Sequence, residues 1–342
     1  MGYRIEKVTG NAADNRPAAE FLARFVLDDE LESPREGDDS PDSWQERMTW
    51  WWDENPFCRE DSPKGFILYS PEGEIVGFNG LIPFDYTVDG EMVPSLVLTS
   101  FFVRAAHRSA VMGMLSRQRA LSRKYHLIDG SPSPEMRVLL EKLGFQRAGD
   151  RHQFFFPLAR MGGELSRSLL RPLKLSFELK ANEIDQSSYL AVNPNEVQSI
   201  PELHDGKVRR TITIDSLEWL TRIGTVERRF VGLCDQYGSL RAYLIGIYKC
   251  KWGVRAFVPM DYVDLDPDTN ALEELIRRIV RDPKGAGLQA ETDILAWSMY
   301  EGGDFEVAGG ISRESILHFQ LPKKWSEREK ACVPFESDLL LQ

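Results

Sequence analysis

The stretch "FFVRAAHRSAVMGMLSRQRAL", residues 101–121, decides how the rest of the chain is read. An apolar, strand-like run ends at Val103. A short turn then carries Arg104, His107 and Arg108, and an amphipathic helix opens near Gly113 and Met114. A strand, a short turn and a helix start expose backbone N–H groups at the positive end of a helix dipole, and such a place accepts phosphate without a nucleophilic side chain. Arg108 would pair a phosphate oxygen there, and Gly113 would allow close approach to the backbone. The charge is one-sided: between Met92 and Ile128 stand Arg104, Arg108, Arg117, Arg119, Arg123 and Lys124, and no acid.

That bias departs from the background. The 342 residues carry a net charge of -11, the reverse of what a general nucleic-acid binder needs. A hydrophobic content of 42% and a charged content of 28% are those of a globular protein, long enough for two domains. No apolar run approaches the roughly 20 residues of a membrane span. The opening "MGYRIEKVTG" lacks the apolar core of a secretory signal, and Glu6 stands where a myristoylated Gly2 would need Ser or Thr. Cys58, Cys234, Cys250 and Cys332 are widely spaced and read as reduced thiols. The expectation is a soluble, cytoplasmic protein without a metal, a nucleic-acid partner or a membrane span.

Outward from the opening stretch, the elements fall in order. "YRIEKVT" (3–9) alternates as a strand; 17–30 and 40–56 have helical spacing, separated by a polar, Pro-containing loop. "GFILYS", "IVGFNGLIPFDYTV" and "MVPSLVLTSFFV", joined by "PEGE" and "DGE", predict an antiparallel meander. A strand "YHLIDG" and a helix 133–145, ending in "LGF", follow the helix at 112–125. Residues 159–179 read as a connector, and the boundary lies near 175. A similar order then recurs: helices, the meander within 228–263, the amphipathic "NALEELIRRIVRD", the strand "DILAWSMY" and a last strand "ESILHFQL". The fold class is α+β, in two units, 1–158 and 180–342, each a mixed, largely antiparallel sheet flanked by helices.

This order resembles the GNAT acyltransferases, which use acetyl-CoA. "VRAAHR" places Val103 five residues before Arg108, as the family's V-x-P-x-x-R does. "RSAVMG" stands where the family carries Q/R-x-x-G-x-G around the CoA pyrophosphate, and "LLEKLGF" (139–145) matches its "LYEKLGF". The resemblance covers residues 3–157; 180–322 match by element order alone. It implies that Phe102 and Val103 contact pantetheine, that Arg108, Ser109, Ala110, Val111, Met112 and Gly113 hold the phosphates, and that Ser133 stands where the family has Asn. It implies acetyl-CoA or another acyl-CoA as cosubstrate, and an amine acceptor, small molecule or peptide, attacking directly in a ternary complex. A monomer or a homodimer is expected.

The sequence also departs from the pattern. Val111 replaces the first loop glycine, and a positive φ there would be strained. Ser100 stands at the place of the family's Glu base, and Leu140 at that of its Tyr acid. Asp129 and Tyr86 are the candidate proton carriers in their stead, with Asp85 and Ser133 as further hydroxyl or carboxylate groups. In the second unit the matching loop is "MDYVDLDPDTN", whose Asp261, Asp264, Asp266 and Asp268 would repel CoA phosphates, so that unit is read as degenerate. Asp264, Asp266 and Asp268 do not make a calcium loop, because Pro267, Thr269 and Leu275 occupy its fourth, sixth and twelfth places. "TWWWDENP" (49–56) either borders an acceptor pocket or staples a helix end onto the core. The five histidines show no metal spacing. Two other functions stay open beside the acyltransferase: a non-catalytic binding or scaffold protein on the same fold, and a Fem-like aminoacyl transferase, against which the acidic charge counts.

Overall fold

The computed structural model describes residues 2–27, 40–130, 132–148, 151–158, 187–222, 227–251, 253–300, 311–313 and 318–325. The connector 159–179 lies outside them. Strand β1 (Arg4–Lys7) leads into helices α1 (Arg16–Leu27) and α2 (Pro41–Met48). Apolar spacing gives α1 one buried stripe, with Ala18, Leu22 and Phe25 in the core. Ser40 caps α2, its hydroxyl accepting the Ser43 N–H, and Pro41 takes the first turn, where its missing N–H costs nothing. A π-helical turn, Thr49–Asp53, ends the helix and carries Trp50, Trp51 and Trp52, all buried in the core. The tryptophans therefore staple the helix end onto the core.

The meander is β2 (Gly65–Tyr69), β3 (Ile75–Val88) and β4 (Glu91–Val103). Its second turn has Asp89 at φ 47° and Gly90 at φ 79°, the pair of left-handed residues that a two-residue hairpin with the strands' own twist requires. Helix α3 (Val111–Leu121), strand β5 (His126–Asp129), helix α4 (Pro134–Lys142), and strands β6 (Gln146–Arg147) and β7 (Arg151–Pro157) complete this part of the chain.

The second half comprises β8 (Tyr189–Ala191), β9 (Arg209–Arg210), α5 (Ile214–Thr221), β10 (Arg228–Cys234), β11 (Leu240–Lys251) and β12 (Val254–Asp264). After them come α6 (Ala271–Arg281), β13 (Ile294–Tyr300), β14 (Ile311–Arg313) and β15 (His318–Gln320). Helix α6 is the amphipathic segment the periodicity predicts, with Ala271, Leu272, Leu275, Ile276 and Ile279 fully buried.

Two sheets result. The first runs β1-β2-β3-β4-β5-β15-β6, with β9 pairing β3; the second runs β14-β7-β13-β12-β11-β10-β8. Each contains one parallel step, β4 beside β5 and β12 beside β13, and is otherwise antiparallel. The sheets cross the boundary read from the sequence. Strand β7, expected in the first unit, lies between β13 and β14, and β15, expected in the second, lies between β5 and β6. Each half thus lends a strand to the other.

The halves also share a core. One apolar cluster includes Phe25, Trp44 and Phe84 from the first half and Leu217, Trp219 and Tyr243 from the second. Trp50 and Trp219 stack at 4.4 Å with ring planes 18° apart. Each indole N–H donates to the other residue's carbonyl, at 3.0 and 2.9 Å. Nearby, the buried Arg210 guanidinium pairs with Asp261 and donates to Tyr243 Oη at 2.8 Å, and Tyr243 Oη donates to Asp261 at 2.9 Å. Burial works against that guanidinium, but the Asp261 charge outweighs it and holds its pKa above the ordinary value.

Burial also sets an alkaline limit. It pushes the Cys234 thiol up to about 11, against a lesser, lowering hydrogen bond from Tyr189. A raised thiol keeps its proton in the folded chain after the unfolded chain has released it. Its contribution is therefore complete below about pH 9 and is lost as pH rises towards 11. Tyr243 and Tyr248, also raised chiefly by burial, act in the same direction. Denaturant midpoints should fall across this window, and Cys234→Ala should flatten the fall; an unchanged slope in that variant would remove Cys234 from the explanation.

Candidate functional site

The parallel step of the first sheet stops where β5 ends, leaving a split beside the rest of β4. β4 and β5 pair from Ser95–His126 to Leu98–Asp129, and β4 then runs on alone on that side through Thr99, Ser100, Phe101, Phe102 and Val103. On its other side β4 is bulged. Gly80 pairs with Thr99 and Phe78 with Phe102, so Asn79 alone faces Ser100 and Phe101. Ser100 has φ 51°, the left-handed conformation that takes up the extra residue. A bulge turns main-chain groups out of the ladder, so this part of β4 offers N–H and C=O to something other than a neighbouring strand. The composition gave no sign of it, because left-handed backbone is usually marked by Gly or Asn.

Above the split, a 3₁₀ segment, Ala105–Ala110, leads into α3. Val111 has φ −52°, inside the ordinary helical region, so the expected strain is absent and no loop glycine is needed. The N-terminus of α3 follows Ala110, and among the described residues no side chain caps it. The Val111 N–H is taken by the Arg108 carbonyl, and the exposed Arg108, Ser109, Met112 and Gly113 surround the first turn. Gly113 also has a packing use. A Cβ there would stand 3.0 Å from Ile5 Cδ1, so its small size lets α3 pack close to β1. Asn79 Nδ2 donates to Gln118 Oε1 at 3.0 Å, tying α3 to the strand that faces the bulge.

Arg108 also faces the start of α4. A backbone hydrogen bond, then the Ser133 hydroxyl, and then the Arg108 charge hold the Glu135 carboxyl below its ordinary value. Ser133 is the cap of α4: its Oγ accepts the Met136 N–H at 3.3 Å and donates to Glu135 Oε2 at 2.9 Å. Arg108, beside the α3 start, thus lies within electrostatic reach of the first turn of α4, which Ser133 caps. The Phe102 side chain packs 4.9 Å from the Phe25 ring; Val103 is buried under α3, and only their main chains lie along the split.

The two candidate proton carriers are not brought together. Asp129 ends β5 at the base of the split, half-buried, on the sheet face of α3 and α4. Tyr86 pairs with Val93, six residues before Thr99, and so lies roughly 20 Å along the strand from the bulge. It is 1% exposed, edge-on to the His126 ring at 5.0 Å, and does not reach the split. Asp85 is held by the Arg59 guanidinium. Leu140 is fully buried.

The second half repeats this architecture and closes it. β12 and β13 pair only at Ala256–Ile294 and Phe257–Leu295, and β12 skips Met260 against β11, as β4 skips a residue against β3. Where the matching helix begins, Asp264 Oδ2 accepts the Leu272 N–H at 3.1 Å, and Oδ1 accepts the Asp266 N–H at 3.0 Å. Asp266 is in turn held by Arg241. A carboxylate of the chain occupies this helix start. Asp264 and Asp266 thus have structural partners, and Asp261 faces Arg210 in the interior.

No family model and no curated protein matches this chain. Solved structures do. A protein of Enterococcus faecalis V583 described as a probable N-acyltransferase superposes with a TM-score of 0.57 at 9% identity, over 95% of this chain and 74% of that one. A GCN5-related N-acetyltransferase from Anabaena variabilis gives 0.55 at 11% identity, over 95% and 74%. Another, from Kribbella flavida, gives 0.52 at 12% identity, over 93% and 71%. At such identities the likeness speaks for the fold. With its bulged β4, its parallel step to β5 and its helix order, the chain has the fold of the GNAT superfamily.

Proposed function

We propose that the chain is an acyl-CoA-dependent N-acyltransferase, with acetyl-CoA as the first donor to test and a small-molecule or peptide amine as acceptor. The observation that supports it most is the difference between two equivalent helix starts: α3 is uncapped and basic, whereas α6 is filled by Asp264. On this reading an anion site is kept in one half, whereas a carboxylate of the chain fills the matching place in the other. The donor would lie in the split, its pantetheine along the Phe102 and Val103 main chain. Its pyrophosphate would lie at the residues Arg108 to Gly113, with Ser133 at the rim. The thioester supplies the activated acyl group. The chain's own part is to align the amine and to receive the carbonyl's developing charge on a main-chain N–H at the Ser100 bulge, a contribution of order 10²–10³ in kcat. The reading extends to a cytoplasmic monomer or homodimer without a metal.

The alternative, a binding or scaffold protein on this fold, has the buried Leu140 and the already occupied Ser133 in its favour. Calorimetric titration with acetyl-CoA and CoA tests the first requirement, since the chemistry needs the donor, and release of CoA in the presence of an amine separates an enzyme from a binding protein. Saturable binding is expected, and Arg108→Glu should weaken it about ten- to hundred-fold, the loss of a charge-assisted phosphate contact. No binding of any acyl-CoA would overturn the acyltransferase reading.

A further inference from the structure

Strand exchange brings a titratable side chain to the split from far along the chain. β15 pairs antiparallel with β5, setting His318 directly opposite Asp129, and with β6, setting it opposite Arg147. Leu98, Asp129, His318 and Arg147 thus form one row across four strands, at the level where β4 and β5 part. Directly opposed residues of an antiparallel pair share a sheet face, with Cβ atoms about 4.5–5.5 Å apart. His318 and Asp129 therefore stand side by side beneath α4. His318 is fully buried, and its Nε2 lies 3.5 Å from Glu141 Oε1 of that helix. Among the described residues, the charged groups facing the ring are Asp129 on β5, Arg147 on β6 and Glu141 on α4.

We propose that His318 is the proton acceptor behind Asp129 in the transfer reaction, delivered to the donor half by the C-terminal half. The proposal rests on the acyltransferase reading above. An alkylamine reaches a protein near pH 7 as an ammonium ion, and one N–H bond must break before its lone pair can attack the thioester. Asp129, half-buried at the base of the split, takes that proton and passes it to the neutral imidazole. The resulting imidazolium lies between the Asp129 and Glu141 carboxylates. The freed lone pair forms the C–N bond, the C–S bond breaks, and the leaving thiolate takes the second proton from the amine nitrogen. The imidazolium then loses its proton to water. His318 does not touch the substrate; it acts through Asp129 and is a positioning residue.

The test compares two nucleophiles with acetyl-CoA as donor: ethanolamine, protonated at neutral pH, and hydroxylamine, already neutral there. In His318→Gln, transfer to ethanolamine should slow about 100-fold, the usual weight of one general base, while transfer to hydroxylamine stays within about two-fold. The ethanolamine deficit should shrink as pH rises and neutral amine arrives from solution. Calorimetric affinity for CoA should be unchanged. Asp129→Asn, which leaves β15 in place, should show the same split between the amines, and it decides the matter if the His318 variant unfolds. Equal slowing of both amines in the folded variants would make the role structural and overturn the proposal alone. Failure of the wild-type protein to bind acetyl-CoA or CoA would overturn the acyltransferase reading and this proposal with it.

Discussion

Asp261→Ala lowers the stability of the fold by about 3–5 kcal/mol, the usual cost of leaving one member of a buried ion pair without its partner. Asp261 is 0% exposed and Arg210 8%, so neither charge can turn to water. Removing the carboxylate strands the guanidinium in the interior and takes an acceptor from Tyr243. The pair itself is not a strong source of stability. Asp261 Oδ1 has no hydrogen-bond partner among the described residues, so the carboxylate is only partly compensated. The double variant Arg210→Met/Asp261→Leu should accordingly recover most of the loss. Guanidinium midpoints of the two variants measure this, and a single variant within 1 kcal/mol of wild type would show that water reaches the pair.

Trp219→Ala should cost about 3–5 kcal/mol, the range for emptying a buried aromatic site. The ring is stacked on Trp50, packs edge-on to Phe57 at 6.3 Å and lies against Phe84 at 5.2 Å. Its N–H also satisfies the Trp50 carbonyl, which would be left buried without that donor. Trp219→Phe keeps the stack and loses only the hydrogen bond, so about 1 kcal/mol is expected of it. The stacked indoles should give an exciton couplet in circular dichroism that both variants abolish. A Trp219→Ala loss no larger than that of Trp219→Phe would mean that the interior collapses around the missing ring.

Where local chemistry decides an element, the sequence was a good guide. "DG" required left-handed turn residues and received them, "LLEKLGF" closes α4 with Gly144 at φ 93°, and the spacing of "NALEELIRRIVRD" buries one stripe of α6. The destinations of β7 and β15 were not legible. A three-residue strand such as "HFQ" carries too little pattern to name its partner, and that choice rests on contacts remote in sequence. For the same reason His318 seemed an isolated histidine.

The candidate site was legible in part. The spacing from Val103 to Arg108 pointed to the start of α3, but the packing of Gly113 against Ile5 was not foreseen. Tyr86 misled because a hydroxyl near a turn seems accessible, and only the strand register shows it buried far from the split.

The exchanged strand also governs how the molecule is made. The edge of β5 that β15 covers is translated at residues 126–129, whereas its cover comes roughly 190 residues later, about 10–40 s of synthesis at ordinary rates. Throughout that interval the nascent first sheet presents an unpaired edge beside an apolar core, the kind of surface that seeds aggregation. The first sheet cannot complete its pairing until the last strand emerges. A ribosome stalled before residue 318 should hold a chain that proteases cut near β5 and α4, and one released after it should resist.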